Sequence, residues 1–105
     1  MTERSPIIRE VEVLCAEDWT SLDKAEQDYG DSWRKRGGVG ACMMLARKWD
    51  RIENQVIGKG WDIFEAIEKD IRPEGILDDI KDLRRYLLLV EAHMRLKGNT
   101  RIKSK

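Results

Sequence analysis

Two acidic pairs, Asp50-x-x-Glu53 and Asp79-x-x-Asp82, are the residues whose types and spacing most directly suggest chemistry. A separation of three brings both members of a pair to one face of a helix. Asp78 adds a third carboxylate beside Asp82, and such a group repels itself unless water, lysine, arginine or a metal cation compensates it. If the two helices lie antiparallel, Asp50, Glu53, Asp79 and Asp82 converge in one cleft, with Glu68 as a possible fifth group. Mg2+, with Mn2+ as an alternative, takes oxygen ligands and keeps waters for substrate phosphates. It stabilises charge on a phosphoryl oxygen and activates a water for attack. Asp50, Glu53, Asp79 and Asp82 are the expected catalytic and metal-binding residues, with Glu68 and Asp78 as further metal ligands. The competing arrangement is a solvated acidic face balanced by Lys81, Arg84 and Arg85, with the acids of the earlier helix held in an internal salt bridge.

A second constellation begins at Asp28-Tyr29-Gly30 and continues through Trp33, Arg34, Lys35 and Arg36 into Gly37, Gly38 and Gly40. It leads straight into a helix whose free N–H groups and positive dipole end suit an anion such as phosphate. Neither GxxxxGK[ST] nor GxGxxG occurs, so this is no standard nucleotide fingerprint. A connecting loop with solvated charges would use the same residues.

Helices have to position both groups. Ser5-Pro6 reads as the cap and first residue of a helix on which Ile8, Val11, Cys15, Asp18, Leu22, Ala25 and Tyr29 share a face. Trp19, Thr20 and Ser21 are mediocre helix formers and allow a break; without one, Asp18 faces inward and needs a partner. A second helix is predicted from Gly40 to Ile57. Cys42, Met43, Leu45, Ala46, Trp49, Ile52, Val56 and Ile57 form its apolar arc, with Glu53 near the middle and Arg47, Lys48 and Arg51 outward or at the border. Gly58-Lys59-Gly60 breaks it. Trp61 to Ile71 reads as a short third helix with Trp61, Phe64, Ile67 and Ile71 inward and Glu68 on the same side. The fourth, Glu74 to Met94, has the clearest seam: Ile76, Ile80, Leu83, Leu87, Val90 and Met94. Beside it runs a polar stripe of Asp78, Asp79, Asp82, Tyr86 and His93. Pro73 and Glu74 suit its first turn and Gly98 its stop.

No stretch alternates with period two for long enough to make a strand. The expected fold class is all-α, a compact bundle of three to four helices in a single domain over 1–98, with a basic, disordered tail over 99–105. Two long apolar seams exceed what so few helices hide, so a homo-oligomer, most simply a dimer, is expected. Formal net charge is zero, which gives no global field for nucleic acid. No apolar run is long enough for a membrane span, no signal-peptide core is apparent, and a cytoplasmic setting is expected. A single His argues against a zinc cage, and Cys15 and Cys42 read as core filler.

Lys24, Asp28-Tyr29-Gly30, Ser32-Trp33, Gly38 and Gly40, Lys48, Arg51 and Asn54, and the Glu74-x3-Asp78-x3-Asp82-Leu83-x2-Tyr86 run together resemble the nucleotide modification associated domain 1 family. That is a small, often phage-encoded, helical family, and the similarity covers roughly Lys24 to Glu91. The acidic pairs are also similar to those of the all-α nucleotide pyrophosphatases related to MazG, which hold Mg2+ on neighbouring helices. Where the family carries an acid before Lys48, this chain has Arg47. The resemblance implies a nucleotide or other phosphate-bearing ligand, with Tyr29, Trp33, Arg34, Lys48, Arg51 and Asn54 binding it. Trp33 or Tyr29 would stack on the base. The expected function is an Mg2+-dependent nucleoside triphosphate pyrophosphohydrolase. The alternatives are a non-catalytic protein that binds or sequesters a nucleotide, and a helical protein-interaction module.

Overall fold

The computed structural model describes residues 4–98, and the stretch expected to be a basic tail lies outside them. Four α-helices are present, and among the described residues there is no strand. None of these helices is long and apolar enough to cross a membrane. The chain divides into two units between Ser32 and Trp33.

The first unit is built on α1 (Pro6–Tyr29). Ser5 Oγ accepts the Ile8 N–H at 3.3 Å, and Pro6 occupies the first turn, where a missing N–H costs nothing. Trp19, Thr20 and Ser21 do not interrupt the helix, and Asp18 is buried, as a continuous helix requires. Gly30 ends it in the left-handed region (φ 67°), donating its N–H to Glu26 O at 2.8 Å. The expected apolar seam is largely open: Ile8, Val11, Cys15 and Tyr29 are exposed. Cys15 is therefore no core filler, since the buried apolar cluster, Ile52, Val56, Ala66 and Ile76, draws no residue from α1.

The second unit holds α2 (Gly37–Ile57), α3 (Ile63–Glu68) and α4 (Ile76–Leu96), preceded by a single 3-10 turn ending at Arg34. Ile52 and Val56 of α2, Ala66 of α3 and Ile76 of α4 form the core, flanked by Ile63, Ile67, Ile80 and Leu83. Cys42 and Met43, ahead of this core on α2, are exposed, which also removes Cys42 from the core.

The third helix departs most from expectation. Trp61 sits at φ 66°, a conformation that strains a residue with a Cβ, and Asp62 Oδ1 accepts the Glu65 N–H at 3.1 Å. That cap starts the helix at Ile63, so Ile63, Ala66 and Ile67 face the core. Phe64 and Ile71, predicted inward, are 76% and 95% exposed, and Trp61 and Glu68 are exposed as well.

Helix α4 begins at Ile76, two residues after the predicted start, because the loop before it builds a separate clasp. The Asp70 carboxylate accepts the Ile76 N–H at 2.7 Å and, on its other oxygen, the Arg72 N–H and Nε–H at 3.2 and 2.9 Å. These donors, the Arg72 side chain first, hold the Asp70 carboxyl well below its ordinary value. Asp78 Oδ2 in turn accepts the Gly75 N–H at 3.0 Å. A Cβ at position 75 would stand 2.5 Å from Asp70 Oδ2, so any side chain there has to displace the carboxylate from the clasp. Gly98, at φ 84°, follows the far end of α4 and donates to Arg95 O.

Candidate functional site along the α2–α4 seam

Helices α2 and α4 run antiparallel, since Arg34, ahead of α2, meets His93 near the end of α4, while Arg51 meets Asp79 near its start. Their shared seam carries two polar clusters. At one end, Arg51 Nε donates to Asp79 Oδ1 at 2.7 Å, and its terminal nitrogen donates to Glu74 O at 3.3 Å. Lys48 Nζ lies 2.9 Å from Asp82 Oδ2 and 4.0 Å from Asp79 Oδ1. Lys48 and Arg51 are three apart and share a face, as do Asp79 and Asp82, so two cations meet two carboxylates.

This corrects the expected orientation of α2. Lys48 and Arg51 face α4, whereas Asp50, two and one positions away, is exposed and Glu53 is half-buried. At 100° per residue, both acids point roughly opposite Lys48. The physical reason is that long basic side chains lay their stems along apolar surface while their heads reach a partner, so a cation belongs at the margin of a buried arc as readily as outside it. Asp79 is 2% exposed, and its Oδ2 has no hydrogen-bond partner among the described residues. One oxygen of a buried carboxylate is thus left unsatisfied. Among the described residues, no group of three or more His, Cys, Asp or Glu is arranged to hold a metal. A single remaining oxygen falls short of the shell that Mg2+ takes, so the donor set here does not make a complete site.

The other end is aromatic. The Trp33 and His93 rings meet edge to face with centroids 6.0 Å apart, and the Arg34 guanidinium lies 5.7 Å from the Trp33 ring centroid. Arg34 also approaches His93 Nδ1 at 2.7 Å. Arginine can only donate, so Nδ1 accepts and the imidazole proton is assigned to Nε2. Arg36 makes no side-chain capping hydrogen bond to α2, so these residues border a helix N-terminus that its own N-cap side chain does not close. Along α4, the eleven residues from Asp82 to His93 separate the two clusters by about 16 Å. Half-buried Tyr86 lies between them on the same stripe.

Of the other predicted ligand-binding residues, Tyr29 is exposed at the end of α1 and Asn54 is exposed on α2. Asp78 serves the start of α4, as described, and lies 3.9 Å from Lys81. His93 belonged to the predicted stripe but not to the predicted site; its spacing from Tyr86 and Asp82 was the signal that could have placed it there. No protein family, curated protein or solved structure matches the chain.

Proposed function

We propose that the protein binds a nucleotide or another phosphate-bearing small molecule along the α2–α4 seam. The observation that carries this is the Trp33–Arg34–His93 group beside the uncapped start of α2. An indole and an imidazole offer ring surfaces to a base, and a guanidinium beside the N–H groups of a helix start offers donors to phosphate. Lys48 lies at the other end of the same seam, where phosphate could compete with Asp82 for it.

A second reading, Mg2+-dependent hydrolysis of a nucleoside triphosphate, is favoured by one observation, the unpartnered Asp79 Oδ2. It requires Lys48 and Arg51 to release Asp82 and Asp79. Melting curves with a panel of NTPs and dNTPs, with and without Mg2+, separate these readings. Saturation at one hundred times Kd should stabilise the fold by about 2.7 kcal/mol. Stabilisation by nucleotide alone, lost in Trp33→Ala and Arg34→Ala, supports binding. Stabilisation only with Mg2+, together with release of pyrophosphate, supports hydrolysis. No response to any nucleotide would remove both readings and leave the interaction module.

A further inference from the structure

Helix α4 has a second face, nearly half a turn round from its polar stripe. There Trp49, Ile63, Ile80, Leu83, Leu87 and Leu88 line a groove of about 410 Å³ between α2, α3 and α4. It is open: Leu87 and Leu88 are 50% and 44% exposed and Trp49 is 46% exposed. Leu87 belongs to the predicted inward seam, so the apolar stripe of α4 continues beyond what α2 and α3 cover. Removing these half-exposed leucines from water is the driving force for an occupant.

The charged residues of the groove indicate which occupant. Arg84 and Glu91 both line it, seven residues and so about two turns apart on one face of α4. Their midpoint falls between Leu87 and Leu88. A two-fold axis through that midpoint sets α4 antiparallel to its own copy. It brings Arg84 against the partner's Glu91, and Glu91 against the partner's Arg84, with the exposed leucines packed between. We infer that this groove is the interface of a two-fold homodimer built on antiparallel pairing of α4. An isologous interface needs a self-complementary surface, and this charge order about an apolar centre is one. A small apolar ligand would cover the leucines without using either charge, and an unrelated helix would give no reason for the charges to be symmetric about Leu87 and Leu88.

The test is charge exchange, read by sedimentation equilibrium at micromolar concentrations with circular dichroism to confirm helicity. The full chain should sediment as a dimer. Arg84→Glu and Glu91→Arg each create two like-charge contacts and should each weaken the dimer at least tenfold. Glu91 also pairs with Arg95 at 3.2 Å within its own helix, and Arg84 too has an interaction within the chain, so a second variant guards against a merely local effect. The double variant R84E/E91R restores both contacts and should dimerise as the parent does. Mixing the two single variants should give a heterodimer, seen by native mass spectrometry, because both exchanged pairs are then opposite in sign. A monomeric parent chain, single variants as dimeric as the parent, or single variants that fail to recombine on mixing would each overturn the inference. A monomeric parent that takes up an apolar dye at the groove would assign the face to a different occupant.

Discussion

The two ends of the α2–α4 seam solve different problems with the same kind of residue. At the Asp79 end, Lys48 and Arg51 meet carboxylates, and the geometry is that of an internal ion-pair network. At the His93 end, Arg34 meets an imidazole nitrogen and an indole ring, neither of which carries negative charge. The first arrangement joins two helices; the second keeps cationic and aromatic groups next to a helix N-terminus. The same kind of basic residue thus meets carboxylates at one end of the seam and rings at the other.

The largest effect should come from breaking the Asp79 end. Replacing Asp79 and Asp82 together by Asn leaves Lys48 and Arg51 without their carboxylates and should cost about 2–4 kcal/mol in metal-free melts, the lower part of the range reflecting the partial exposure of Arg51. An unchanged or raised melting temperature would instead show that the two acids repel each other, which is the behaviour of an empty metal site.

Next comes the clasp that sets the start of α4, and with it the position of Asp79. Gly75→Ala should cost about 1–3 kcal/mol, since the added carbon must displace the Asp70 carboxylate. Asp70→Asn acts on the same clasp and carries a pH signature. The Asp70 carboxyl is held below its ordinary value of 3.8 in the folded protein, so its contribution is whole above that pH and is lost as acid carries the folded group through its lower pKa. The gap in melting temperature between the parent and Asp70→Asn should be widest near neutrality and shrink steadily below pH 3.8. A gap independent of pH would exclude the charge on Asp70 as its source.

The smallest change in stability belongs to the His93 end. His93→Gln should cost about 1 kcal/mol or less while abolishing stabilisation by nucleotide. Retained nucleotide stabilisation would place the ligand elsewhere and remove the functional contrast between the ends.

Much of the architecture was legible in the sequence, and the failures have common physical causes. Ser5-Pro6, Gly30 and Gly98 marked helix ends correctly because caps depend on local chemistry. The register of α3 was not legible, because Asp62 could be recognised as its cap only if Trp61 was known to adopt a left-handed conformation. Apolar periodicity puts Lys48 and Arg51 outward or at the border of the arc and goes no further, because it cannot see a complementary stripe on another helix. Trp33, Arg34, Asp79 and Asp82 were picked from residue type and spacing, and the structure places them on one seam. Asp50 and Glu53 were picked by the same reasoning, yet they turn away from it. The Asp70 clasp carried no sequence signal, since its closure depends on the path of a short loop.

That clasp also bears on the order in which the chain assembles. Forming the first turn is the costly step for any helix, with a nucleation constant on the order of 10⁻³. Asp70 reaches Ile76 across six residues, and loops of about ten residues close in roughly 10–100 ns. The carboxylate can therefore take hold of the first N–H of α4 from its own preceding loop, long before contacts distant in sequence have formed. Helix α4 carries its nucleation site with it, and the search that remains is for α2.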